Sequence, residues 1–90
     1  MKDIDIGRIA ISLAGHDLGK YYVIFLIEAE YVYLVNGKNR TISNPKKKKI
    51  KHVCIINEID KILIDKVINK TVTNEEIKRN IKLLNRVDFS

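Results

Sequence analysis

An unbroken run of apolar, β-prone residues, Tyr21, Tyr22, Val23, Ile24, Phe25, Leu26 and Ile27, constrains this chain more than any other feature. With no charged position in it, the run reads as a strand covered on both faces, since either face left in water would expose aromatic and branched side chains. Something outside its own sheet has to pack on it. The chain has 90 residues, the size of one small domain, so that cover must come from the same short polypeptide. The run is also far shorter than the ~18 residues needed to span a bilayer. Asp3 and Asp5 stand where a secretion signal would begin its long apolar stretch, so a soluble, cytoplasmic protein without membrane partners is expected.

The neighbouring segments supply strands to pair with it. Ile4, Ile6, Ile9, Ile11 and Leu13 alternate with smaller or polar residues as in a half-buried strand, with Gly7 at a bend. Gly15, Asp17 and Gly19 mark a loop over residues 14–20. After the polar turn of Glu28, Ala29 and Glu30, residues 31–35 form a third strand that ends at Asn36 and Gly37, a strong hairpin signal because a type I′ turn needs positive φ at both central positions. Residues 38–43 are the expected return strand. Asn44 and Pro45 end it, and an extended pattern resumes over 49–56. Five short strands with no crossover helix among them predict a small antiparallel barrel.

Beyond Asn57 the apolar period lengthens. Ile59, Ile62, Leu63 and Val67 predict a helix over 58–68, with a strand as the alternative because Ile64 and Ile68 widen the apolar stripe. Thr73 with Glu76 three positions on is a capping box, which opens a second helix. Its buried stripe is Ile77, Ile81, Leu84 and Val87, while Lys78, Arg79, Lys82 and Arg86 face outward. These helices are the candidates for the missing cover. The expected organisation is a mainly β, α+β unit: a barrel over residues 1–57 and a helical extension over 58–90 packed on it.

The net charge of +6 is unevenly placed. Residues 31–57 carry Lys38, Arg40, Lys46, Lys47, Lys48, Lys49 and Lys51 and no acid, whereas the rest of the chain is nearly balanced. One cationic patch on a near-neutral domain attracts polyanions by steering and counterion release, nucleic acid foremost. The alternatives are a solvated lysine loop or an edge strand guarded by lysine against aggregation. Ammonium groups on flexible stems hold phosphate as point charges without reading bases. Tyr31 and Tyr33 share a strand face, either to stack on bases or, as expected here, to pack the barrel.

Catalytic chemistry finds no constellation. His16 and Asp17 are adjacent on a loop with no nucleophile in view, and there is no phosphate-binding loop, nucleophile elbow or zinc-ligand spacing, so no metal or cofactor is expected. The lone Cys54, within Val53, Cys54, Ile55 and Ile56, reads as a small buried hydrophobe in a reducing compartment.

The segment 7–24, with alternating aliphatics leading into Gly15, Asp17, Gly19 and Lys20 and then a valine-bearing strand, resembles a KOW motif. With Asn36, Gly37, Lys38 and the basic run 45–52, about residues 6–53 resemble the short bacterial KOW-domain RNA-binding proteins, related to the large-subunit ribosomal proteins of the L-fourteen-e kind. The resemblance implies an SH3-like barrel that contacts RNA, typically ribosomal RNA, through the KOW loop and nearby basic segments. Carried onto this chain, Gly15 and Gly19 would be turn glycines of the loop. Arg8, His16 and Lys20 would lie near RNA, with Lys38, Arg40 and His52 flanking, and Lys46, Lys47, Lys48, Lys49 and Lys51 on the backbone. Leu18 stands where a basic residue is frequent. The resulting expectation is a non-enzymatic, ribosome-associated RNA binder that also meets ribosomal or other translation proteins. The alternative is a protein-interaction module docking an acidic partner in the translation or transcription machinery, and a third reading is an architectural DNA binder.

Overall fold

The computed structural model describes residues 5–56 and 60–87, the last three as backbone alone. Ile4, Glu58, Ile59 and the side chains of Arg86 and Val87 therefore lie outside the described residues. Five strands, β1 Ile9–Ser12, β2 Tyr21–Glu28, β3 Tyr31–Val35, β4 Lys46–Lys49 and β5 Val53–Ile55, make one antiparallel sheet in the order β4-β3-β2-β1-β5. A 3-10 turn, Ile50–His52, joins β4 to β5, and the helices α1 Lys61–Ile68 and α2 Asn74–Val87 follow. No helix among the described residues is long and apolar enough to cross a membrane.

Both faces of β2 are covered, as its composition demands. On one face Ile9, Val23 and Val35 pack with Leu63 and Val67 of α1 and Ile77 and Ile81 of α2, and Tyr21 and Phe25 join them from the side. On the other, Tyr22 and Ile24 pack with Ala10, Val32, Leu34, Val53 and Ile55. The ladder between β2 and β3 slips between Ile24 and Leu26. The extra residue, Phe25, reverses the alternation, so that Ile27 joins the face of Ile24 and Leu26 turns out to water.

The sheet is open where a closed barrel was expected. β4 and β5 stand at its two edges and do not pair with each other. It does curl. Lys48 of β4 donates to the carbonyl of Ala14, beside β1, at 3.0 Å. In a flat sheet β4 and β1 would lie about 14 Å apart, three strand spacings.

The return strand is also not where the hairpin signal put it. Asn36 keeps negative φ, and its Oδ1 accepts the N–H groups of Lys38 at 2.9 Å and Arg40 at 3.0 Å, so a wide side-chain-held loop forms in place of a type I′ turn. Residues 38–43 do not pair along β3. The lysine run does, with Lys46 opposite Leu34 and Lys49 opposite Tyr31. The intervening loop docks on α2: the N–H of Ile42 donates to Asn74 Oδ1 at 2.9 Å, and Gly37, at φ 78°, lies against the backbone of Asn74 and Lys78.

Helix α1 starts at Lys61, not at residue 58, because Asp60 caps it by accepting the N–H groups of Ile62 and Leu63. Leu63 and Val67 then face the sheet, while Ile62 and Ile68 turn outward rather than extending the buried stripe. The capping box of α2 forms as the sequence indicates, Thr73 N–H to Glu76 Oε1 at 3.0 Å and Glu76 N–H to Thr73 Oγ1 at 3.2 Å. Glu76 also pairs with Lys66 of α1. Cys54 is exposed, contrary to its apolar setting, because Val53 and Ile55 take the inward positions of β5.

Candidate nucleic-acid interface

The lysine run is divided by its own strand geometry. Alternation along β4 sends Lys46 and Lys48 to the face of Leu34 and Val32, and Lys47 and Lys49 to the face of Tyr33 and Tyr31. On the first face stands Asp17, 5% exposed, whose Oδ1 accepts from Lys48 Nζ at 3.1 Å and from the Ser12 hydroxyl at 2.9 Å. Lys46 Nζ lies 3.6 Å from Oδ2. Burial would raise the Asp17 carboxyl, but hydrogen bonds from Lys48, Ser12 and Tyr22 and the Lys48 charge outweigh it and hold the group at about 2. Asp17 is therefore a fastener between the β1–β2 loop and β4, not a solvated loop residue. Gly15 sits over this pair, and Gly19 shapes the end of the loop at φ 84°.

On the other face, Lys47 lies over the Tyr31 ring, 4.3 Å from its centroid, and Lys49 is 4.0 Å from the exposed Glu30 carboxylate. Tyr31 and Tyr33 are half-buried there and belong to neither core cluster, so they do not pack a barrel interior. The Tyr33 hydroxyl donates to Glu28. Lys51 is exposed in the 3-10 turn, and His52 beside it is half-buried. The single basic patch expected from the sequence is thus broken up, with two of its lysines turned onto a carboxylate from another segment.

A second group of cations converges beyond the C-terminal end of β3. An open groove of about 670 Å³ is lined by Lys20 of the β1–β2 loop, Lys38 of the β3–β4 loop, and Lys78 and Lys82 of α2. Gly19, Tyr21, Asn36 and Asn39 complete much of its wall, and no carboxylate among the described residues lines it. None of the four lysines takes part in an ion pair among the described residues. The buried Tyr22 and Ile81 also line it. Lys78 and Lys82 lie one helical turn apart, the spacing that places two side chains on one helix face.

No protein-family model and no curated protein matches the chain. Of the residues singled out in the sequence, the groove brings together Gly19, Lys20 and Lys38. Arg40 is half-buried near Tyr22, whose hydroxyl it pulls toward ionisation against the larger, opposing effect of burial. Arg8 is half-buried ahead of β1 and His16 is exposed on the loop, and neither lines the groove. Lys78 and Lys82 were legible only as outward residues of α2. The one signal pointing to them was their own basic i, i+4 spacing.

Proposed function

We propose that this chain is a non-enzymatic RNA-binding protein, associated with the ribosome, that holds the RNA backbone in the groove between the β1–β2 loop and α2. The observation that carries this reading is the convergence of Lys20, Lys38, Lys78 and Lys82, from three separate segments, on one recess with no carboxylate among the described residues of its lining. Lysines gathered this way raise the local potential for a polyanion and supply point-charge contacts to phosphate. Lys47 and Lys51 are also exposed and supply further point charges for phosphate. An SH3-like barrel of the KOW kind, open at its β4 and β5 edges, is the fold family that fits. Its support is the curled sheet, the 3-10 turn between the last two strands and the Gly15 to Lys20 loop.

The test is the salt dependence of RNA binding. Replacing Lys20, Lys38, Lys78 and Lys82 with Gln should flatten the plot of log affinity against log salt by up to about 0.9 per lost duplex contact, or about 0.7 on a single strand. An unchanged slope would take the groove out of the interface.

One observation favours a second reading. Leu13 and Leu18, 50% and 64% exposed, lie on the same loop as Lys20 and suit a protein-interaction module docking an acidic partner. Cross-linking in cells separates the two: recovered ribosomal RNA supports the first, a single protein partner the second.

A further inference from the structure

We infer that the groove takes an unpaired stretch of RNA rather than the side of a duplex, with phosphates on the lysines and a base against Tyr21. The inference rests on the RNA-binding reading above. Three features of the recess argue for it.

The first is shape. The recess is concave, and its lining draws on the start of β2, the β3–β4 loop and α2, with lysines from three separate segments. A single strand can lie in such a recess, whereas a duplex presents its phosphates on a convex rod and meets only a rim. RNA duplexes are read across a wide, shallow minor groove, which calls for a protruding surface. The second is composition. A cationic groove with an aromatic side chain in its wall is how proteins hold single strands without strong sequence preference. Tyr21 is the half-buried aromatic of this wall, and Lys78 and Lys82, on one face of α2 with Cβ atoms about 6 Å apart, can reach neighbouring phosphates.

The third is a prepared polar group. Asn36 Oδ1 is occupied by the N–H groups of Lys38 and Arg40, and Asn36 Nδ2 donates to Asn39 Oδ1 at 2.8 Å. That contact orients the Asn39 amide and leaves its Nδ2 donor uncommitted among the described residues, at the edge of the groove. A base acceptor or a phosphate oxygen can use it.

The experiment is fluorescence anisotropy on the full chain with two probes, a short oligoadenylate and a blunt RNA duplex of equal charge, and with polyglutamate as competitor. Binding of the oligoadenylate should be about tenfold tighter than that of the duplex. Lys78→Gln with Lys82→Gln should weaken it and lower its salt slope by about 1.4. Tyr21→Leu should cost about tenfold and Tyr21→Phe little, because the phenyl ring keeps the stacking face. Since Tyr21 also packs on the core, the exposed α2 lysines keep the test decisive if Tyr21→Leu fails to fold. Equal or tighter duplex binding, reduced as much by the α2 variants, would overturn the inference and leave the RNA-binding reading standing. Failure of both RNAs to bind, or competition by polyglutamate at the same charge concentration, would overturn both.

Discussion

Lys48 Nζ stands 3.1 Å from Asp17 Oδ1 and 3.0 Å from the carbonyl of Ala14, so one ammonium group ties an edge strand to the loop beside β1. The Lys48 side chain is only 10% exposed and that of Asp17 7%. Removing one partner of so enclosed a pair strands the other charge, which is costlier than losing both. Asp17→Asn is expected to lower the unfolding free energy by about 3 kcal/mol in denaturant titrations. Adding Lys48→Met to Asp17→Asn should recover part of that loss. A single-variant cost below about 1 kcal/mol would mean that water screens the pair.

Stability should fall in acid through the same carboxyl. The Asp17 group is held at about 2 in the folded chain, against an ordinary 3.8. A folded-state value below the unfolded one contributes stability that is complete above about pH 4 and is lost as pH falls toward 2. The loss is about 2 kcal/mol. Denaturation midpoints measured across this window should show it in the parent chain and not in Asp17→Asn.

The alkaline limb has the opposite sign. Burial, with the nearby Asp17 charge and hydrogen bond, pushes the Tyr22 hydroxyl up from 10.0 to about 12. The neutral phenol is favoured by folding, so this contribution is present below pH 10 and disappears as pH rises through 12. Ultraviolet titration should show one of the four tyrosines ionising late, and Tyr22→Phe should remove that step.

Two loop glycines separate conformational strain from crowding. A Cβ on Gly19 would meet nothing within 4 Å, so Gly19→Ala bears only the cost of its φ of 84°, about 1 kcal/mol. A Cβ on Gly37 would collide with the Asn74 carbonyl oxygen and stand 2.8 Å from the Lys78 nitrogen. Gly37→Ala should therefore destabilise by more than Gly19→Ala and should also displace Lys38 from Lys78, weakening RNA binding. Equal unfolding costs for the two variants would remove the docking of this loop on α2.

The features legible in the sequence are those that local pattern determines. The apolar run at Tyr21, the polar turn at Glu28 and the capping box of Thr73 and Glu76 each describe a backbone decision made within a few residues. The features missed are decisions made between distant segments. Lysine has little strand preference of its own, and β4 forms because β3 offers a ladder. Asn36 and Gly37 lack the expected turn because Asn36 captures nearby N–H groups and Gly37 meets α2. Asp17 read only as a loop residue because nothing in its own neighbourhood announces Lys48. The closing of the sheet into a barrel, expected from strand count, depends on edge pairing that no strand count contains.

The groove has a thermodynamic corollary. Its four ammonium groups belong to segments that lie far apart along the chain, from Lys20 to Lys82, and only the native fold assembles them. A ligand held there meets no equivalent in the denatured ensemble, so occupancy and folding become a single coupled equilibrium. Such a domain would melt later as ligand concentration rises, and its lifetime in the cell would track the abundance of whatever it holds.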